Sequence, residues 1–421
     1  MRNRYAEYNS CFDNMIRLKY VAQALNGDRS SNYPSSDDFF KQGVPFINSP
    51  AIENGKIDTN ELLFISREKY DSMRGVKLRR DDILYCLRGD VGKNAMSDYD
   101  VGTIASALMV IRVQKDKYVP KFLFYVLNSQ LEKDQRDRTT TGAVASNLSA
   151  ENVMNFFVPH LPINEQLRLC HFLDSRVSTT DTVLENYTDQ LSMLTRYKRD
   201  LIAKCVTKGL DKSAPMKPSG EDWIGDVPEH WQIVPLRAFL KPNNRKNPGG
   251  LPLLSVERER GVVNRETDGS PDNHNRVPDD LSNYKMVDEG QFVMNKMKAW
   301  QGSYGVAPCA GIVSPAYYVY DLVFENKAFF NYAIRSKCYV GFLGRDSYGI
   351  RIDQWDFKAE CIKHIPFVAP PIEEQKEIVN YLSKQESKIN RLQANIEAQI
   401  QKLKDYRRIL IHDAVTGKIK I

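Results

Sequence analysis

With 421 residues, 27% of them charged and 42% hydrophobic, the chain has an ordinary globular composition and the length for more than one domain. No apolar run approaches the ~20 residues of a membrane span, and the start, Met1-Arg2-Asn3-Arg4-Tyr5, lacks the apolar core of a secretory signal. A cytoplasmic protein with no secretory signal and no membrane partner is expected. The seven cysteines are scattered and odd in number, which reads as reduced thiols. A net charge of +6 permits a polyanionic partner without singling one out.

Residues 1–160 read as a first globular block. Short β-rich runs, Ile83-Leu84-Tyr85-Cys86-Leu87 and Ala107-Leu108-Met109-Val110-Ile111, alternate with turn formers such as Asn26-Gly27-Asp28 and Glu53-Asn54-Gly55-Lys56. A helical segment over 121–131 leads into a polar stretch, Arg136-Asp137-Arg138-Thr139-Thr140-Thr141-Gly142.

The pattern changes over 161–210. Leu169, Leu173, Arg176, Thr180, Val183, Tyr187, Gln190, Leu194, Tyr197 and Leu201 fall at alternating four- and three-residue steps. That is a seam of period 3.5 and predicts one long helix of the coiled-coil kind. Pro162 is tolerated at its start because the first helical N–H groups have no intrahelical partner. Glu165 suits the positive end of the helix dipole, and Arg199 and Lys204 suit the negative end.

Residues 211–220, with Pro215, Pro218 and Gly220, read as a linker opening a second block, 211–369. This block echoes the first. The run from Val76 to Leu84 parallels the run from Tyr284 to Phe292, the glycine-bearing loop at Gly89 and Gly92 parallels the one at Gly302 and Gly305, and Phe122-Leu123-Phe124-Tyr125 parallels Phe329-Phe330-Asn331-Tyr332. A second long helix over 370–421 repeats the first: Pro371, Ile372, Glu374 and Gln375 stand 209 residues after Pro162, Ile163, Glu165 and Gln166. The repeat holds to the far end, where Tyr406, Arg408, Leu410 and Ile411 match Tyr197, Arg199, Leu201 and Ile202. About 40 residues make each rod roughly 60 Å long. Neither can bury its stripe alone, so the two are expected to pair. Leu173, Val183, Tyr187 and Leu194 of one helix and Leu382, Leu392, Ile396 and Leu403 of the other then sit in the seam, and Gln190 and Gln399 set the register. These residues do not by themselves fix the direction of pairing.

A search for catalytic constellations returns little. Gly89-Asp90-Val91-Gly92-Lys93 is too short for a phosphate-binding loop, and no Gly-x-Gly-x-x-Gly, Gly-x-Ser-x-Gly or His-Glu-x-x-His occurs. Cys361 and His364 have metal-ligand spacing but no second pair, so no metal site is expected. No Asn- or Asp-Pro-Pro-aromatic tetrad of amino-methyltransferases is present. A chain of this length without catalytic motifs points to binding or scaffolding.

The order of parts, the Pro-Ile-x-Glu-Gln helix starts at Pro162 and Pro371, and the helix ends Tyr197-Lys198-Arg199 and Tyr406-Arg407-Arg408 resemble the DNA-specificity subunit of type I restriction–modification systems. The run Trp223-Ile224-Gly225-Asp226-Val227-Pro228-Glu229-His230-Trp231 is similar to the family's usual lead-in to a target-recognition domain. Met297-Lys298-Ala299-Trp300-Gln301-Gly302-Ser303 and Ser314-Pro315-Ala316-Tyr317 are also family-like, and the first block lacks the tryptophan-bearing lead-in. The resemblance implies an α+β fold. Two globular α/β target-recognition domains alternate with two long spacer helices, paired as an antiparallel coiled coil about a pseudo-two-fold axis. It implies a bipartite, gapped site in double-stranded DNA, with two methyltransferase subunits and restriction subunits as partners. This chain itself would carry no cofactor and no catalysis, S-adenosylmethionine, ATP and Mg belonging to the partner subunits.

For DNA contacts the polar loops supply the candidates: Arg88, Lys93, Arg138, Thr139, Thr140 and Thr141 in the first block, and Lys296, Lys298, Gln301, Arg345, Tyr348 and Arg351 in the second. Arginine bonds guanine O6 and N7 bidentately, glutamine suits adenine, and lysine and hydroxyls hold phosphates. Against this stands the plain alternative of solvated surface charge, with Arg88 paired to Asp90 and Arg351 to Asp353. Two other classes remain in view: a stand-alone DNA-modifying enzyme and a protein-only coiled-coil adaptor.

Overall fold

The computed structural model describes residues 15–140, 147–265, 278, 280–345, 359–362 and 364–419. Contacts divide the chain into two units, Met1–Thr188 with Glu397–Ile421, and Asp189–Ile396. Each unit thus holds one globule together with part of both long helices, Ile163–Lys208 and Ile372–Val415. Among the described residues no helix is long and apolar enough to cross a membrane.

In the first unit a four-stranded antiparallel sheet runs in the order Ala22–Asn26, Leu108–Val113, Ile83–Cys86, Asn94–Met96. Its central strands are apolar without alternation because both faces are covered. Ile83, Tyr85, Met109 and Ile111 enter one core, with the helices, while Leu84, Cys86, Leu108 and Val110 enter another, under a smaller β-rich lobe. Successive residues of a strand point to opposite faces, so a continuous apolar run is what a doubly covered strand requires. The helices Pro120–Leu127 and Gln130–Thr140 follow the sheet. The expected 121–131 helix is therefore broken near Asn128, and the polar stretch from Arg136 through Thr140 is helical, the last turns of the second helix.

The second unit repeats this frame. Leu240–Pro242, Tyr317–Leu322, Phe292–Asn295 and Tyr304–Val306 take the same sheet order. Lys327–Ile334 and Lys337–Arg345 follow as helices. Phe292 and Met294 face one core and Val293 and Val319 the other. The lobe on the second face differs between units. In the first it is a three-stranded sheet of Leu63–Ile65, Val44–Ile47 and Thr103–Ile104, and in the second it comprises the hairpins' worth of strands Leu254–Glu257 with Gly261–Asn264 and Lys285–Val287 with Gly311–Val313.

The repeated helix starts have a local cause. Gln166 folds back to donate to the Leu161 carbonyl at 2.8 Å, and Gln375 does the same to Pro370 at 2.7 Å. Each glutamine thereby closes the turn from the preceding strand into its helix. Glu374 has a further role: its carboxylate accepts the Trp231 indole N–H at 2.9 Å and lies 2.5 Å from His230 Nε2. The tryptophan-bearing lead-in is thus pinned to a helix start, with Trp231 fully buried. The stretch expected to be a linker is ordered as well, since Met216–Pro218 pairs with Asp226–Pro228.

Within each unit the two long helices pack against one another. Leu169, Leu173 and Val177 share the first unit's core with Leu410, Ile411 and Ala414, and Arg407 donates to Asp181 at 2.8 Å. In the second unit Thr195 accepts from Gln393 at 3.0 Å, while Lys198 reaches Asn390 at 3.1 Å and Glu386 at 3.0 Å. Partner numbers fall as residue numbers rise, so the pairing is antiparallel. One seam row matches the expected register: Leu173, Tyr187, Leu194, Leu382, Ile396 and Leu403 are buried or half-buried. The other row is displaced by one residue. Val177, Leu184, Leu191 and Lys198 replace Arg176, Val183, Gln190 and Tyr197, and Glu386, Gln393, Ile400 and Arg407 replace Gln385, Leu392, Gln399 and Tyr406. Leu392 is accordingly 52% exposed and Gln190 is exposed, whereas Val183 and Gln399, flanking the seam, stay half-buried.

Candidate nucleic-acid interface

In both units the candidates among the described residues fall on equivalent pieces of the frame. The first is the loop joining the inner and edge strands of the sheet, residues 87–93 in one unit and 296–303 in the other. The second is the C-terminal end of the second globular helix.

The 87–93 loop is closed by backbone bonds, Gly92 N to Cys86 O at 3.0 Å and Cys86 N to Lys93 O at 2.8 Å. Gly89 and Gly92 sit at φ +73° and +93°, a region open to glycine at little cost. Arg88 is exposed and, among the described residues, its guanidinium has no partner; Asp90 instead lies 3.6 Å from Lys93. Lys93 is half-buried and also reaches the Ser49 carbonyl at 3.5 Å. The chain returns to this loop after the helix: Arg88 bridges Asn147, and Leu148 N donates to Leu87 O at 2.9 Å. Arg138 and Thr139 are exposed on the last helical turns, with the Thr139 hydroxyl donating back to the Gln135 carbonyl at 2.7 Å. Thr140 ends the helix, and Thr141 lies outside the described residues.

The 296–303 loop is built differently. A single 3-10 turn, Ala299–Gln301, ends on Gly302 at φ +90°. Asn295 holds its base, accepting from Met297 N at 3.2 Å and donating its own N–H to Ser303 O at 3.0 Å. Lys298 is exposed, and Lys296 and Gln301 are half-buried. Arg345 ends the helix Lys337–Arg345, while Tyr348 and Arg351 lie outside the described residues.

Sequence reasoning passed over the groups beneath these loops. Glu132, buried, takes the Tyr85 hydroxyl and the Arg136 Nε, the latter at 2.9 Å. Burial pushes its carboxyl up from the ordinary range, with the Tyr85 hydroxyl and the Arg136 charge opposing the shift. The four-residue spacing of Glu132 and Arg136 on one helix is the signal that marks the pair. In the second unit Arg335 donates to the carbonyls of Tyr304 at 2.6 Å and Glu259 at 2.8 Å, fastening a lobe hairpin to the sheet edge. Among the described residues no group of His, Cys, Asp and Glu could hold a metal ion.

A repeated α+β module, each copy joined to paired long helices and presenting a basic loop, defines a duplicated recognition scaffold. Residues 14–192 match the family model of the type I restriction modification DNA specificity domain. The chain is 25% identical over 90% of its length, and 88% of the relative's, to a putative type I restriction enzyme MjaX specificity subunit of Methanocaldococcus jannaschii. It is also 25% identical to the type I restriction enzyme EcoBI specificity subunit of Escherichia coli, over 40% of this chain and 35% of that one. A solved chain described under "Structural basis underlying complex assembly and conformational transition of the type I R-M system" shares the fold, with a TM-score of 0.65 at 16% identity, covering 96% of this chain and 98% of that one. Residues 14–192 thus resemble a type I restriction modification DNA specificity domain, and nearly the whole chain is similar to a type I specificity subunit.

Proposed function

We propose that the chain reads a bipartite, gapped sequence in double-stranded DNA as the specificity subunit of a type I restriction–modification complex and performs no catalysis itself. The observation that carries this reading is the repetition of one frame with two different basic loops at the same place: Arg88 and Lys93 in the first module, Lys296 and Lys298 in the second. A frame kept constant while its loops change suits two half-sites of different sequence. Phosphate contacts position such a module and base contacts specify the site. In this reading Arg88 and Gln301 read bases, Lys93, Lys296, Lys298 and Thr139 hold the backbone, and Arg138, Thr140, Thr141, Arg345, Tyr348 and Arg351 are further candidate contacts. Two methyltransferase subunits and restriction subunits are the protein partners, and S-adenosylmethionine, ATP and Mg serve those subunits.

The test is selection of duplexes from a randomised pool by the full chain co-purified with a methyltransferase subunit, together with mapping of methylated adenines in the host genome. A two-part consensus with a constant gap is expected from both. Binding without sequence preference, or methyl transfer by the pure chain alone, overturns the reading.

A further inference from the structure

The two reading loops are supported by different chemistry. Under the first lies an ionic clasp. Glu132 is 4% exposed and joins Tyr85, on the strand that enters the loop, to Arg136, one turn further along the helix. The Arg136 side chain then lies along the loop itself: a Cβ at Gly92 would come within 2.5 Å of its Nε and 2.9 Å of its Cζ. Gly92 stands next to Lys93, and Tyr85 stands three residues before Arg88. In the second module the matching strand position is Met294, which faces Tyr318 across the sheet as Tyr85 faces Met109. The matching helix position is Tyr339, third in its helix as Glu132 is in its own, and both Met294 and Tyr339 are buried in the apolar core. At Gly302 the nearest neighbour is the Val340 methyl, 3.3 Å from where a Cβ would stand.

We propose that Glu132 and Arg136 are positioning residues that hold the 87–93 loop in its reading shape, so that recognition of one half-site, and not the other, depends on a buried carboxylate. The inference rests on the specificity-subunit reading above. The physical ground is directional. Packing against a methyl group fixes distance but tolerates sliding, whereas the Glu132 carboxylate, bonded both to the hydroxyl on the strand and to Arg136 Nε, sets the direction of the guanidinium that packs against the loop. Base readout needs that precision, since a bidentate contact is lost when its loop shifts. Retaining the carboxylate also works against folding, because burial makes its charged form unfavourable. Replacing it by an isosteric amide therefore separates positioning from stability.

The experiment uses the full chain co-purified with a methyltransferase subunit and a pool of randomised duplex DNA. Wild type, Glu132→Gln and Arg136→Gln are each put through selection, and thermal unfolding of each is recorded. Glu132→Gln is expected to keep the unfolding midpoint while discrimination falls on the order of tenfold at one half-site, with the other half-site as sharp as in wild type. Arg136→Gln leaves the core of the helix intact and is expected to blur the same half, which keeps the test decisive should Glu132→Gln fold poorly. Two sharp halves in both variants, or equal blurring of both halves, overturns the positioning role alone. A wild-type chain with no consensus overturns the specificity reading and the inference with it.

Discussion

Arg407 donates through Nε to Asp181 at 2.8 Å, and the residues that stand 209 earlier and 209 later, Lys198 and Asn390, make the same contact at 3.1 Å in the other unit. A cation at the end of one long helix reaches back to the other helix in both halves of the repeat. Duplication has thus preserved a cross-helix contact, although the acceptor is a carboxylate in one copy and an amide in the other. The Arg407 and Asp181 side chains are 23% and 30% exposed, so solvent screens them only in part. A double-mutant cycle on Arg407→Ala and Asp181→Ala is expected to give a coupling of about 0.5–1 kcal/mol from denaturation midpoints. A coupling of zero would mean that the seam's packing, and not this pair, holds the first unit's helices together.

Leu392 and Ile389 separate packing from helicity. Ile389 is 4% exposed and Leu392 52%, although both suit a seam by hydropathy. Ile389→Ala is expected to destabilise by about 2–4 kcal/mol, and Leu392→Ser by less than about 0.5 kcal/mol. Leu392→Pro removes an N–H and clashes with the preceding turn, so a loss of about 3 kcal/mol or more is expected despite the exposure. Chemical denaturation of the three variants ranks them, and a Leu392→Ser loss as large as that of Ile389→Ala contradicts the displaced row.

That displacement shows where the sequence was legible and where it was not. Leu173, Leu194, Leu382 and Leu403 lie on a row whose apolar character is readable at sight. The companion row includes Lys198, Glu386, Gln393 and Arg407, whose polar ends find partners across the pair. Hydropathy cannot register a charge satisfied by a distant residue, so in the second helix the neighbouring row with Leu392 is the more apolar. In the first helix Val177, Leu184 and Leu191 stand on the true row and are more apolar than Arg176, Val183 and Gln190, so that row was legible there. The repeat itself, the inner strands near Ile83 and Leu108, and the common placement of Arg88 and Lys298 follow from spacing and apolar runs. The Glu132 clasp depends on Tyr85, 47 residues away, and only folding brings the two together. The helical state of Arg136 to Thr140 was obscured for a related reason: its anchoring side is supplied by Gln135, which brackets the backbone of Phe157 at 2.7 and 3.0 Å.

Asp321 supplies a pH prediction for the second unit. The Asn243 amide at 2.9 Å, and then the Gln291 amide at 2.6 Å, hold its carboxyl below the ordinary value of 3.8 against the opposing effect of desolvation. A carboxylate with a lowered folded pKa contributes stability that is present above the ordinary value and lost as pH falls through the lowered one. Wild type is therefore expected to exceed Asp321→Asn in stability near neutrality by less than about 1 kcal/mol, the group being exposed and screened. The difference should vanish below the folded pKa. Unfolding midpoints of both proteins from pH 6 downward, about two units past the ordinary value, measure it, and a difference that grows on acidification contradicts the assignment.

The final prediction concerns charge and DNA. Lys298 is exposed on the 296–303 loop and Arg88 on the 87–93 loop, and neither guanidinium nor ammonium has a partner among the described residues. A lysine on a phosphate releases counterions on binding, so Lys298→Ala should weaken binding to all sequences alike. The slope of log affinity against log salt should become shallower by about 1. An arginine on a base edge acts differently: Arg88→Ala should relax preference at one position by about 1–3 kcal/mol while specific affinity falls more than non-specific affinity. Titrations of specific and scrambled duplexes at several salt concentrations, with the methyltransferase subunit present, distinguish the two behaviours. If both substitutions change only the salt slope, Arg88 is a phosphate contact, and base reading in the first module falls to other residues of that surface. If neither substitution changes slope or preference, these loops do not face the DNA.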